Sequence, residues 1–244
     1  AAQDADSKFD KWLEKKLSEF TKSRGMKYPI SQGYGLSEAS AAVSFCVNDI
    51  YKSGSVGIPS ITITAGIFDE ETGRELSYNE IGEVCITGPS LMKGYYKRPE
   101  ETANVMRKHE DDGLTWLHTG DLGYIDDKGW IYIKGRLKNM ILGPSGQNIY
   151  PEEIEQKLNN MPYVCESIVI DVENQLVALV YPDIENGTKQ GMSLQDLDRL
   201  MEENVKQLNP ELPAYSRISR VKVYHEEFEK TPKRSIKRYL YQNG

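Results

Sequence analysis

Residues 118 to 155, HTGDLGYIDDKGWIYIKGRLKNMILGPSGQNIYPEEIE, carry several unlike patterns in close succession, and no single element can hold them all. Two runs rich in Tyr, Ile and Trp alternate with polar residues on either side of Asp126-Asp127-Lys128-Gly129. Such residues favour strands, and a polar turn ending in glycine can take positive φ, so the runs predict a β-hairpin. Thr119-Gly120-Asp121, just before it, reads as a tight turn. Gly135-Arg136-Leu137-Lys138-Asn139, just after it, has no apolar period and reads as a joint. Pro151, with Glu152, Glu153 and Glu155 behind it, then reads as a helix start, because proline suits the first helical position and the helix dipole favours anions there. Two domains are therefore expected to meet in this stretch.

A chain of 244 residues has room for one large or two modest domains with a real core. Its 39% hydrophobic and 27% charged residues are ordinary for a globular protein. With 30 basic against 37 acidic residues the net charge is −7, which argues against wholesale binding to nucleic acid. Cys46, Cys85 and Cys165 are few, odd in number and far apart, which suggests neither a disulfide framework nor a zinc site and points to a reducing, cytoplasmic setting. No run approaches the roughly 20 apolar residues of a membrane span. The opening AAQDADSKFD lacks the basic and then apolar pattern of a signal peptide.

Along the chain, Phe9, Leu13, Leu17 and Phe20 share one helical face, so a helix is expected over residues 6–24, stopping at Gly25. In Gly33-Tyr34-Gly35-Leu36-Ser37-Glu38 the glycines permit a sharp turn or a close approach to a ligand. Ser37 can donate to a phosphate or carboxylate oxygen, and Glu38 suits Mg²⁺, which takes a few hard oxygen ligands beside substrate phosphates. The same stretch also reads as a strand-to-helix loop with a capping serine. From Ser55 to Gly94 the texture is β, with Ile61-Thr62-Ile63-Thr64 and Glu83 to Gly88 as strands, which suggests a small barrel or a distorted sheet. Pro99 is expected to open a short helix. Beyond the joint, strands are expected at 167–170, 176–181 and 220–224, with residues 182–192 a polar loop. A capped helix follows from Ser193 through Leu208. That α-β-β-α-β order fits a compact α+β domain.

Taken singly these pieces are common, but their order is not. Tyr34-Gly35-Leu36-Ser37-Glu38, then Gly82 to Gly88 through Gly94-Tyr95 to Pro99-Glu100-Glu101-Thr102, then His118-Thr119-Gly120-Asp121, then Gly135-Arg136-Leu137-Lys138, then Ser145 to Glu155, closely resemble the adenylate-forming superfamily. That family includes acyl-CoA synthetases, luciferases and the adenylation domains of peptide synthetases. The nearest likeness is to bacterial long-chain acyl-CoA synthetases. The resemblance implies a mixed α/β fold in which residues 1–137 are the β-rich C-terminal portion of a large adenylation domain. A hinge joins them to residues 138–244, a small mobile α+β domain.

The resemblance also implies roles. Asp121 would hydrogen-bond the ribose hydroxyls of ATP, and Tyr34 would stack on or lie beside adenine, next to Gly35. Ser37 would contact the α-phosphate or the substrate carboxylate, Glu38 would bind Mg²⁺, and Arg136 would reach the nucleotide. Lys138 would be the hinge, and Ser145-Gly146 would line the tunnel for the pantetheine arm of CoA. The implied reaction joins a carboxylic acid, a fatty acid by the nearest likeness, to AMP and then to CoA. No enzyme nucleophile is needed.

Two departures qualify this. The family's glycine-rich phosphate loop is not in the chain, so the sequence is expected to be the C-terminal part of a longer enzyme and inactive in ATP-pyrophosphate exchange by itself. The family's C-terminal motif reads Thr-Pro-x-Gly-Lys-Ile-x-Arg, whereas here it is Thr231-Pro232-Lys233-Arg234-Ser235-Ile236-Lys237-Arg238. Ser235 stands where the family's lysine acts, and a short neutral hydroxyl cannot replace a cationic arm. Lys233 is expected to substitute. The alternatives are that Lys237 reaches in, that adenylation is impaired, or that the register differs. Other readings are a ligase that stops at acyl-AMP or loads a carrier protein, a non-catalytic nucleotide-binding relative, and nucleic-acid binding through Lys230, Lys233, Arg234, Lys237 and Arg238, which the net charge disfavours. Peripheral membrane contact is left open.

Overall fold

The structure is a computed structural model that describes residues 16, 19–20, 23–25, 32–46, 52–232 and 234–242. The expected helix over 6–24 lies mostly outside these, although Lys16, Glu19, Phe20 and Ser23, which are described, are helical. Lys233 also lies outside the described residues. The chain divides into two compact units, one ending at Lys138 and the other beginning at Asn139.

The first unit is mainly antiparallel sheet. Strands β1 (Gly33–Tyr34), β2 (Ser44–Phe45) and β3 (Ile58–Pro59) form a small sheet in that order. A second sheet runs β4 (Thr64–Phe68), β5 (Gly82–Thr87), β7 (Thr115–Ile125) and β6 (Met106–Lys108), with β8 (Ile131–Arg136) also paired to β7. The expected hairpin is β7–β8, closed where the Asp126 carboxylate accepts from the backbone N–H groups of Lys128 and Trp130. Both faces of β5 are covered. Val84 joins Ile67, Ile125 and Ile131, Ile86 joins Ile63 and Leu117, and Cys85 packs with Phe68 and Trp116. That explains why β5 is buried almost end to end rather than alternating.

Three local expectations are corrected here. Ile61 to Ile63 form a turn and β4 begins at Thr64; Ile61 is fully exposed while Ile63 is buried, so burial does not follow the apparent alternation. Thr119-Gly120-Asp121 is a bulged part of β7 and not a free-standing turn, and Gly135-Arg136 belong to β8, opposite Leu122 and Asp121. Flanking pairs with β5 at His118 and Leu122, and the pairing of Asp121 with Arg136 of β8, hold this polar stretch in the sheet. Helix α1 (Pro99–Val105) starts on its proline as expected.

The second unit is a three-stranded sheet with both faces covered. β9 (Ile141–Leu142) and β10 (Asn148–Ile149) form a short hairpin, and α2 (Pro151–Asn159) follows. β11 (Val164–Val172) then pairs antiparallel with β12 (Gln175–Pro182). β13 (Ile218–Val223) returns parallel to β12, as a helical crossover allows. Period-two alternation sorts the strand residues. Val169, Ala178 and Val180 meet Ile154, Leu158, Met201 and Val205 of the helices, while Ile168, Ile170, Val177 and Leu179 meet Phe228, Ile236 and Tyr241 of the C-terminal segment.

Residues 182–192, expected to be a loop, contain a short helix, α3 (Ile184–Lys189), capped by the Asp183 side chain on the Asn186 N–H. It has no apolar period to reveal it, and its Gly187 packs so closely that a Cβ there would lie 2.9 Å from Leu197. Helix α4 (Leu194–Leu208) begins with the expected capping box between Ser193 and Asp196.

Candidate functional site

In the first unit the structure brings Tyr34, Asp121 and Arg136 together. Asp121 and Arg136 are cross-strand partners on β7 and β8, and Arg136 Nε meets Asp121 Oδ1 at 2.8 Å. Tyr34, from β1, donates its hydroxyl to Asp121 Oδ2 at 2.5 Å. The Asp121 carboxylate is only 4% exposed, so its charge is held by these directed partners rather than by bulk water. Burial, followed by the negative charge of Asp121 and the hydrogen bond to it, pushes the Tyr34 phenol far above the ordinary tyrosine range. Arg136 is half exposed and also donates Nη1–H to the Thr119 carbonyl at 3.2 Å.

The loop after Tyr34 folds back tightly. A Cβ on Gly35 would fall 1.5 Å from the Ala41 carbonyl oxygen, so no other residue fits. Ser37 opens a single 3₁₀ turn, Ser37–Ala39, and is exposed. Leu36 stands at the cap position with no side-chain capping bond, so the reading of Ser37 as a cap is set aside. Glu38 is half-buried. Its backbone carbonyl accepts from Met92 N–H at 2.7 Å, and its Oε1 accepts from the Tyr95 hydroxyl at 2.9 Å. Burial and the Glu38 carboxylate raise the Tyr95 pKa.

The donor chemistry fits a nucleotide with its metal. A carboxylate has about four acceptor positions, so accepting from Tyr34 and Arg136 does not by itself exhaust Asp121 for a diol. Glu38 offers the hard oxygen that Mg²⁺ prefers. Among the residues with no role assigned from sequence, Glu83, His118, Thr119 and Tyr95 support this arrangement. Their signal was faint: a glutamate inside an otherwise apolar strand, and a tyrosine in a glycine-bounded loop.

In the second unit, exposed Ser145 and Gly146 sit in the β9–β10 turn, where Gly146 N–H bonds the Gly143 carbonyl and takes φ +80°. Lys138 is exposed, in a 3₁₀ turn over Leu137–Asn139 at the division between the units. The C-terminal motif makes a tight turn in which Thr231 N–H bonds the Ser235 carbonyl and Arg234 N–H bonds the Thr231 carbonyl. Arg234 takes φ +60°, a left-handed conformation, at the position where the resembling motif carries glycine. Lys237 pairs with Glu229 at 3.1 Å, Lys230 with Glu166 at 2.7 Å and with Glu227, and Arg238 with the buried Glu155. Ser235 is exposed.

Comparison with known proteins gives concordant matches. Residues 10–96 match the family described as AMP-binding enzyme, and residues 138–243 match the family of AMP-binding enzyme C-terminal domains. A long-chain-fatty-acid–CoA ligase of Bacillus subtilis is 44% identical over 156 residues, 63% of this chain and 26% of the ligase. A 4-coumarate–CoA ligase of Vanilla planifolia is 32% identical over 236 residues, 93% of this chain and 39% of that protein. Among solved structures, ATP-bound MatB from Rhodopseudomonas palustris superposes with a TM-score of 0.69 at 27% identity, over 88% of this chain and 40% of MatB. The chain thus spans about a quarter to two fifths of the length of these relatives.

Proposed function

This chain belongs to the family of AMP-binding, adenylate-forming enzymes, and on that footing we propose that it is part of an ATP-dependent acyl-CoA synthetase. In this reading residues 1–137 contribute the nucleotide end of the large adenylation domain and residues 138–244 the small mobile domain. The observation that carries the reading is the cluster of Asp121, Tyr34 and Arg136. It supplies a buried acceptor carboxylate and a cation from two paired strands, β7 and β8, and an aromatic ring brought to them by β1 of the neighbouring sheet.

Each side chain has a task in the proposed chemistry. Asp121 accepts hydrogen bonds from a ribose diol, while Arg136 pairs with the carboxylate and fixes its orientation. The Tyr34 ring lies beside the base. Ser37, exposed at the start of its turn, donates to an α-phosphate oxygen or to the acid. Glu38, oriented by Tyr95, would hold Mg²⁺, which supplies charge neutralisation to the phosphates. The carboxylic acid oxygen bonds to the α-phosphorus and pyrophosphate leaves. The CoA thiol, entering past Ser145 and Gly146, then displaces AMP as the carbon–sulfur bond forms and gives up its proton. Lys138 is the pivot between the two half-reactions. Lys233 supplies the cation that Ser235 cannot, which is supported by the engagement of Lys230, Lys237 and Arg238 with carboxylates.

A fatty acid is the proposed substrate, supported by the identity to the long-chain ligase. The match to the 4-coumarate ligase over nearly the whole chain makes an aromatic acid the second reading. The enzyme carrying this chain should release AMP only when ATP, Mg²⁺, CoA and acid are all present, and faster with palmitate than with 4-coumarate. Pyrophosphate release with accumulation of acyl-AMP and no AMP release in the presence of CoA would instead favour a ligase that stops at acyl-AMP, and no pyrophosphate release with any acid would favour a non-catalytic relative.

A further inference from the structure

The strands around the nucleotide cluster are out of register, and a buried charged group fills the gap. On β5, Glu83 and Cys85 are separated by one residue; on β7 their partners, Leu122 and His118, are separated by three. The two extra residues form a bulge that contains Thr119, Gly120 and Asp121, so these residues have no ladder partner on β5. Side chains replace those partners. Thr119 donates its hydroxyl to the Val84 carbonyl at 2.6 Å, and Gly120 N–H donates to Glu83 Oε1 at 2.9 Å. The second oxygen, Glu83 Oε2, meets His118 Nδ1 at 2.7 Å. His118 Nε2 in turn meets His109 Nε2 at 3.0 Å, and His109 stacks on Trp116.

A carboxylate only 5% exposed is costly unless paired and hydrogen-bonded, and here both oxygens have directed donors. A consistent pattern, assigned from the hydrogen bonds, has His118 donating from both ring nitrogens, Nδ1–H to Glu83 Oε2 and Nε2–H to His109 Nε2. Burial pushes the Glu83 carboxyl up, but the bonds from His118 and Gly120, with the charges of His118 and Arg107, outweigh it and hold the group below the usual glutamate range. Burial, with the charge of His118, holds His109 below the ordinary histidine range.

We propose that the buried Glu83–His118 pair is a positioning device for the nucleotide site: it clamps the Gly120 amide, holds the bulge in its left-handed turn, and so aims the Asp121 carboxylate. Gly120 takes φ +70°, one of several conformations open to glycine, so its own backbone preference does not fix the loop and the bond from its amide to Glu83 does. Asp121 is its neighbour, and a small rotation there would swing the carboxylate away from Tyr34 and Arg136. Neither Glu83 nor His118 reaches the ligand in this scheme; both act through the backbone. The inference rests on the reading of Asp121 as the ribose acceptor. Glu83, Cys85 and His118 could alternatively share a metal ion, since their donor atoms lie within 4.8 Å of one another. The 2.7 Å contact between Oε2 and Nδ1 is instead that of a shared proton.

The test uses ¹⁵N-labelled protein and AMP as the probe. Glu83→Leu removes the acceptor, and Glu83→Gln restores a neutral one. In Glu83→Leu the Gly120 amide should move upfield and exchange faster, and AMP should bind about tenfold more weakly, as expected on losing a charge-assisted hydrogen bond. Glu83→Gln should recover most of the affinity with a smaller shift of the same amide. An unchanged Gly120 amide in the folded Leu variant overturns the proposal; if that variant does not fold, an unchanged amide in Glu83→Gln does so. Stoichiometric zinc in the purified protein, released together with a change at His118, would also overturn it. Asp121→Asn separates the two readings. If AMP affinity is unaffected there, Asp121 is not the ribose acceptor, while the Gly120 amide still reports whether Glu83 clamps the bulge.

Discussion

At the scale of single residues, the proposed chemistry concentrates on one carboxylate. Asp121 is buried, yet both its named partners come from other strands, so its aim depends on the sheet and not on its sequence neighbours. Asp121→Ala should raise the KM for ATP by at least about tenfold, because it removes the acceptor and leaves the Tyr34 hydroxyl and Arg136 without it. Steady-state kinetics at varied ATP checks this. Tyr34 makes a second prediction. Its folded-state pKa is raised above the ordinary tyrosine value of about 10, so the folded chain keeps a proton that the unfolded chain releases. The stability it contributes is fully present below pH 10 and drains away as the pH climbs beyond it. Tyr34→Phe should therefore flatten the alkaline limb of stability against pH, measured by urea unfolding between pH 8 and about 11. The motif residues themselves were legible in the sequence, whereas Glu83 and Tyr95 were not, because their importance lies in what they touch across the sheet.

At the scale of elements, the C-terminal segment illustrates how a basic run becomes structure. Phe228, Ile236 and Tyr241 cover one face of the β11–β12 sheet, and Arg238 reaches Glu155 on α2, whose Oε1 accepts from the Val169 N–H at 2.6 Å. Burial raises the Glu155 pKa despite the arginine, so desolvation there is severe. Arg238→Ala would leave that carboxylate without its cation, at a cost of about 3–5 kcal/mol. Denaturant unfolding of the second unit should show it, and Arg238→Lys should recover only part. A smaller effect is expected at the start of α4. Ser193→Ala removes the capping box and should cost about 1 kcal/mol in the same measurement. The box was readable from its spacing, whereas α3 was not, because a six-residue helix of polar residues has no period to detect.

At the scale of the whole molecule, two units with separate cores meet at the Lys138–Asn139 bond. If Lys138 is the pivot, Lys138→Pro, which fixes φ near −65°, should slow thioester formation far more than acyl-AMP formation. Following the two half-reactions separately checks this; equal slowing of both would remove Lys138 from that role. The described residues contain no helix long and apolar enough to cross a membrane.

The amino-acid sequence by itself determined the periodicity of β7, β8, β11 and β12, the proline-led helices, the capping box and the order of motifs that marks the family. These are local signals, written within a few residues of one another. Only the tertiary structure decided that Thr119-Gly120-Asp121 is a bulge held from β5, that Tyr34 and Arg136 grip the same carboxylate, and that Arg238 serves Glu155. Each depends on groups 15 to 87 residues apart whose meeting is set by strand pairing and packing, forces that leave no periodic trace along the chain.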